Sequence, residues 1–294
     1  MKWLGLFISI CFFIFACVSE YEPSSIEIRL SRSVKILDDF GEEESITDAN
    51  VFIECDQGFT FEPVSVSEEG VYILKVDKLE PAYKYRLSIN WNDKEYKSEY
   101  LSPLDTPAID SISVESPASE KPVYICVTTH DNELEPTYYK WSYREIWEFN
   151  ADLFANAGYL NDKFYMFERH TSQNTYYCWG RDSSKVMLLA TTDKLTENLI
   201  YEKELIEIPR DHDKLKILYY IEVQQNRIRK EAYEYFKNIQ RNIEQTGSIF
   251  SPIPTEVRGN IVCVSDPKEW VLGYVDVTNT TIMKRFMPEL RDFY

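Results

Sequence analysis

Leu79-Glu80-Pro81-Ala82-Tyr83-Lys84-Tyr85-Arg86-Leu87-Ser88-Ile89-Asn90-Trp91-Asn92-Asp93 decides the reading of the first part of the chain. From Tyr83 to Trp91, large apolar residues alternate with Lys84, Arg86, Ser88 and Asn90, the period of a half-buried strand. Asn92-Asp93 is a tight-turn signal, and Tyr96 to Leu101 returns as the second arm of a hairpin. Upstream, Leu79-x-Pro81-x-x-x-Tyr85 has the look of a tyrosine corner, in which a Tyr hydroxyl pins a sandwich crossover to nearby backbone.

Working outward, Ile26, Ile28 and Leu30 alternate with Glu27 and Arg29, and Val51–Cys55 and Val71–Val76 add further strands. Together they predict an immunoglobulin/transthyretin-like β-sandwich over residues 25–105, closed by Asp105-Thr106-Pro107. Residues 106–294 read as a second, β-rich domain. Its expected strands start at Ile109, Val123, Tyr138, Val186, Leu215, Ile261 and Val271, while 150–174 reads as irregular, with turn signals at Gly158 and Asn161-Asp162. Ile228, Ala232, Phe236, Ile239 and Ile243 recur at helical spacing, predicting one amphipathic helix over about 226–246 with Asn226 as N-cap and Gly247 as its stop. The fold class expected is mainly β.

The N-terminus points to export. Met1-Lys2 is a charged start, Trp3 to Phe15 is almost wholly apolar, and Ala16 precedes Cys17. That is the plan of a secretory signal over residues 1–16, and the apolar run is shorter than the roughly 20 residues a spanning helix needs. Ile14-Phe15-Ala16-Cys17 resembles a lipobox, so Cys17 is the expected lipidation site, carrying diacylglycerol and palmitate, with 17–24 as a tether. Burying acyl chain contributes about 0.8 kcal/mol per CH₂, so one chain holds marginally and two or three hold permanently.

Composition narrows the partners. Asp plus Glu number 49 against 32 Lys plus Arg, a formal net charge of −17. A field of that sign argues against nucleic acid and against polybasic adhesion to anionic lipid. Once Cys11 leaves with the signal and Cys17 is acylated, Cys55, Cys126, Cys178 and Cys263 remain. Three pairings are possible; Cys178 with Cys263, both in strand-like runs, is the disulfide candidate, and Cys55 and Cys126 read as buried thiols.

Catalytic signatures are sparse. Of the histidines His130, His170 and His212, no two share a helical face, and Asp211-His212-Asp213 reads as a charged loop. Neither Gly-x-Ser-x-Gly nor a Gly-rich phosphate loop occurs. No metal, no cofactor and no catalytic residue is expected. The aromatic run containing Trp141, Tyr143 and Trp147 supplies ligand-binding candidates if exposed, and core or sheet-covering side chains if not. Phe149, Phe164, Tyr165 and Phe167 extend it.

A resemblance rests on ordered segments near the C-terminus. Tyr219-Tyr220-Ile221-Glu222-Val223-Gln224-Gln225 is followed by Glu231-Ala232-Tyr233-Glu234-Tyr235-Phe236. Then come Gly247-Ser248-Ile249-Phe250-Ser251-Pro252-Ile253-Pro254, Arg258-Gly259-Asn260-Ile261 and Val271-Leu272-Gly273-Tyr274. With Ala49-Asn50-Val51, Glu69-Gly70-Val71-Tyr72 and the Tyr-rich hairpin, this order resembles the domain of unknown function (DUF) 4249 family of Bacteroidota outer-membrane lipoproteins. The resemblance implies an outer-membrane location beside a TonB-dependent receptor and carries no catalytic residues. Glu20 and Glu22 resemble acidic tags that send such lipoproteins to the cell surface rather than the periplasmic side. The expected function is a non-enzymatic accessory or binding protein in nutrient or peptide uptake. An adhesin or structural surface module is the alternative, and an envelope hydrolase a third reading.

Overall fold

A computed structural model describes residues 24–32, 44–76, 79–118, 121–152, 157–166, 176–245 and 257–293. The signal segment, Cys17, most of the tether, Phe167, His170 and the Gly247–Pro254 stretch lie outside the described residues. The protein is mainly β. In chain order its strands are β1 (Ser24–Arg29), β2 (Ser31–Arg32), β3 (Glu44–Ser45), β4 (Asn50–Cys55), β5 (Thr60–Phe61), β6 (Pro63–Val66), β7 (Val71–Val76), β8 (Tyr85–Trp91) and β9 (Lys94–Ser98). There follow β10 (Ile109–Glu115), β11 (Val123–His130), β12 (Tyr138–Asn150), β13 (Ala157–Leu160), β14 (Lys163–Met166), β15 (Tyr177–Ser183), β16 (Leu188–Thr191), β17 (Leu199–Ile208) and β18 (Leu218–Ile228). Helix α1 (Lys230–Gln245), β19 (Ile261–Cys263) and β20 (Thr280–Phe286) complete the set. Among the described residues no helix is long and apolar enough to cross a membrane.

The chain divides into two compact units. The first ends at Tyr100 and also takes Val262–Glu269; the second holds Leu101–Ile261 and Trp270–Tyr294. The border thus falls a few residues before Asp105, and a C-terminal segment expected in the second domain belongs to the first.

In the first unit, β1-β7-β6 form one antiparallel sheet and β19-β9-β8-β4-β5 another. Tyr72, Leu74 and Val76 from one, and Val51, Cys55, Tyr85, Leu87, Ile89 and Tyr96 from the other, are buried. Period-2 burial is what makes the two sheets a sandwich, each fully buried aliphatic or aromatic side chain contributing about 1.5–3 kcal/mol. Asn92 and Asp93 both take positive φ (50° and 59°), so the β8–β9 hairpin closes on the turn that Asn and Asp favour. β19 adds beside β9, where Val264 N–H donates to Glu95 O at 2.7 Å and Tyr96 Oη donates to Glu269 Oε1 at 2.7 Å.

The core of the second unit is built from two antiparallel sheets, β10-β11-β17 and β15-β12-β18-β20, with β16 pairing the start of β12. Ile112, Val123, Ile125, Val127, Ile206 and Ile208 from the first share one core with Tyr139, Trp141, Tyr219, Ile221 and Val223 from the second. One polar chain crosses this core without an unmet donor. Trp141 Nε1 donates to Gln225 Oε1 at 2.8 Å, and Gln225 Nε2 donates to Thr129 Oγ1 at 3.0 Å and to Pro107 O at 2.9 Å. Being satisfied, it costs the core little and fixes the facing of the sheets.

Several sequence expectations change here. β18 runs to Ile228, paired with Tyr138, so Asn226 is a strand residue and α1 begins four residues later. The buried side of α1 is Ala232, Tyr233 and Tyr235, with Phe236 packed alongside, while Ile243 is exposed. Val271–Val277 joins no ladder. The Asn260 side chain takes the ladder's place, donating to Val275 O at 2.7 Å and accepting from Val275 N–H at 2.8 Å. Gly259 is required there because a Cβ would fall 1.5 Å from Gly273 O. The stretch expected to be irregular holds the β13–β14 hairpin, turning on Asn161 and Asp162 at positive φ. β17 and β20 were not foreseen.

The Cys178–Cys263 bridge is absent, and no disulfide joins the described cysteines. Cys178 lies half-buried on β15 of the second unit, whereas Cys263 is buried in the first.

Candidate functional site

The sheet β15-β12-β18-β20 has two unlike faces, set by strand parity. On β12 the odd positions turn inward. Tyr139 and Trp141 are buried, and Tyr143 and Trp147 pack half-buried against the same core. Glu145 also turns inward, 1 % exposed, where it accepts from Lys214 Nζ at 2.5 Å and from the Tyr219 hydroxyl. Lys214 lies over the Trp147 ring, 4.9 Å from its centroid. Burial pushes the Tyr143 hydroxyl up to about 12, with the Glu145 carboxylate adding to it. Trp147 in turn occupies the space above Gly180, where a Cβ would come within 2.2 Å of the indole. The candidates Trp141, Tyr143 and Trp147 are therefore core and core-flanking side chains rather than a ligand surface.

The even positions of β12 face outward, and cross-strand register extends that face over four strands. Arg181, Ile146, Tyr220 and Phe286 stand in one row, and Trp179, Glu148 and Leu218 in the next. Trp179 and Phe286 are each 62 % exposed, Ile282 is 52 % and Ile146 is 43 % exposed. The Tyr220 and Phe286 rings pack at 4.8 Å between centroids. Helix α1 covers only the other end of this face, where Ile228, Ala232 and Tyr233 pack with Tyr138 and Leu189. Lys140 marks the limit of cover; its ammonium sits 4.4 Å from the Phe236 ring, and burial lowers its pKa. Leaving two large rings in water forgoes about 1.5–3 kcal/mol each, and contiguous apolar patches of this kind mark contact surfaces.

The β13–β14 hairpin adds a second exposed apolar set. Tyr159 stands opposite Phe164 and Ala157 opposite Met166 on one side of it, and Tyr159, Phe164 and Met166 are all exposed.

Among the described residues, groups suited to acid–base work do not converge. Glu54, Asp56, Asp182 and Glu269 all have pKa values lowered by hydrogen bonds and cations that outweigh burial. A general acid needs the opposite shift. His212 Nδ1 accepts from Lys214 N–H at 3.1 Å and caps a short 3₁₀ turn; His130 pairs with Asp110 at 2.8 Å. Among the described residues no group of three or more His, Cys, Asp or Glu could hold a metal ion. A shallow trough of about 490 Å³ beside β17 is lined by Leu195, Leu199, Tyr201 and Glu204 and holds no histidine.

The family model described as Domain of unknown function (DUF4249) matches residues 16–283. The chain belongs to the DUF4249 family. The match begins just before Cys17, spans both units and ends inside β20, so this DUF4249 protein carries most of its aromatic face within the matched region and Phe286 just beyond it. None of the curated proteins matches the chain.

Nothing in the sequence singled out the outward rows. Tyr177 and Trp179 stood in a strand-like run, but their exposure depends on β15 joining β12 in a register that puts Gly180 under Trp147. The signal available was β12 itself, whose odd positions are the bulkier and whose even positions include Lys140, Ser142 and Arg144.

Proposed function

We propose that this DUF4249 protein is a non-enzymatic binding lipoprotein, held at the outer membrane by acyl chains on Cys17 and facing the cell exterior. It acts with a TonB-dependent receptor in nutrient or peptide uptake. The open aromatic face of β15-β12-β18-β20 carries the binding part of this reading, since those side chains stay in water unless a partner covers them. The anchor rests on the charged start, the apolar run and Ala16-Cys17. The receptor and the outward placement rest on what the family resemblance implies and on Glu20 and Glu22.

Affinity capture of the acylated protein from outer membranes tests it. A TonB-dependent receptor is expected in the eluate of the unaltered protein and depleted in that of Trp179→Ser/Phe286→Ser. Repeated recovery of no receptor overturns the reading. A deletion strain with altered attachment and unchanged uptake points instead to an adhesin.

A further inference from the structure

We infer that the partner of the aromatic face is an acidic protein surface, whose carboxylates are taken by Arg144 and Arg181 and whose apolar centre is taken by Trp179, Ile146, Tyr220 and Phe286. This rests on the proposed binding role and adds the chemistry of what is bound.

Register places the two guanidiniums. Arg181 is the cross-strand partner of Ile146, and Arg144 lies two residues back along β12 on the same face. They are diagonal neighbours, about 7–8 Å apart at the backbone. Arg144 also stands opposite Glu222, but that carboxylate is engaged by Lys284 at 3.4 Å. Among the described residues neither arginine has an ion-pair partner, and Glu148 is the one carboxylate of these rows without a cation. The face is therefore locally cationic on a chain of net charge −17. The outer face of the opposite sheet has the reverse character, with Glu115 and Glu207 opposite Tyr124 and Glu204 opposite Cys126.

That contrast sets orientation. The chain as a whole repels an acidic partner at long range, so the approach left open is the face that carries Arg144 and Arg181. Guanidinium suits the task because it binds carboxylate through two parallel hydrogen bonds, sheds water readily and lies flat on rings. Arg, Trp and Tyr are also the side chains that carry most binding energy at protein interfaces. Aliphatic Ile146 and Leu218 interrupt the rings, which suits side-chain packing better than a continuous stack of sugar rings. Two guanidiniums are too few to bring a chain of this charge onto a polyanionic lipid surface.

Binding of the purified acylated protein to immobilised poly(Glu,Tyr), a random copolymer of glutamate and tyrosine, tests the inference. Polygalacturonate and phosphatidylglycerol vesicles are run alongside. Poly(Glu,Tyr) is expected to bind, with affinity falling at least about tenfold in Arg144→Glu/Arg181→Glu and partly kept in Arg144→Lys/Arg181→Lys. Unchanged binding by the charge-reversed protein overturns the inference, as does preference for polygalacturonate or vesicles. Receptor capture lost in Trp179→Ser/Phe286→Ser but intact in Arg144→Glu/Arg181→Glu overturns it while leaving the proposed function standing. Arginine-dependent binding of poly(Glu,Tyr) with no receptor captured supports the acidic partner and removes the receptor.

Discussion

The Tyr85 hydroxyl accepts a hydrogen bond from Glu80 N–H at 3.0 Å, closing the loop that enters β8. Tyr85 is 2 % exposed, and burial raises its pKa, so the hydroxyl stays protonated. This is the tyrosine corner expected from Leu79-x-Pro81-x-x-x-Tyr85. Tyr85→Phe leaves the amide without its acceptor and should cost about 1–3 kcal/mol in urea unfolding of the first unit. A loss below a few tenths of a kcal/mol would show that the bond is incidental.

The buried Glu145–Lys214–Tyr219 group gives a sharper test. Glu145 is almost fully enclosed, and among the described residues Lys214 is the one cation paired with it. Lys214→Met removes the cation and leaves the carboxylate buried, with an expected loss of about 3–5 kcal/mol. Glu145→Gln/Lys214→Met should recover part of it. If the double variant is no more stable than the single, the charge is not the cause.

Acid stability follows from the carboxylates of the first unit. The Lys94 and Tyr96 hydrogen bonds hold Glu269 below its ordinary value of 4.5, and Arg86 and Lys97 do the same for Glu54 against a burial that opposes them. A lowered folded-state pKa means the contribution is present above the unfolded value and is lost as pH falls through the folded one. Denaturation midpoints should hold steady from neutral pH toward 5 and decline below about 4.5. Glu269→Gln should flatten that decline, and a parallel profile rules Glu269 out as a contributor.

Thiol chemistry separates the cysteines. Cys55, Cys126 and Cys263 are buried and Cys178 is half-buried, and burial pushes the Cys126 thiol up to about 11. Maleimide should modify Cys178 first in the folded protein and the others only on unfolding. A peptide cross-linked through Cys178 and Cys263 in non-reducing mass spectrometry contradicts this order.

Gly180→Ala places a methyl group against the Trp147 indole and should destabilise the second unit by about 1–3 kcal/mol. Its neighbour Trp179→Ser, on the exposed face, should change stability by no more than about 0.5 kcal/mol. Equal losses at the two positions, read by thermal unfolding, would mean that Trp179 is held by the fold and is not a free surface.

How far the fold was legible depended on whether a segment carries its own pattern. The β8–β9 hairpin has strict alternation plus Asn92-Asp93, and it forms on that turn, with its second arm starting at Lys94 and ending at Ser98 rather than running from Tyr96 to Leu101. Thr280–Phe286 has little to mark it: Lys284 and Arg285 interrupt its apolar residues, and it becomes a strand by pairing with β18. Val271–Val277 has the better strand composition, yet Asn260 takes its backbone hydrogen bonds. The aromatic face was hidden for the same reason, because exposure of Trp179 and Phe286 is decided by which strands meet. Trp141 shows why both readings stayed open: in a sheet a single step of parity turns a side chain from water to core, and register with the neighbouring strands decides which.

The loan of Val262–Glu269 to the first unit imposes an order of manufacture. That unit's sheet gains β19, and Tyr96 gains Glu269, only after the ribosome has translated nearly all of the second unit. A fragment stopped at Tyr100 should consequently leave β9 as a bare edge and digest faster under protease than the same residues in the full chain. Domain-by-domain dissection would then mistake an unfinished sandwich for an unstable one.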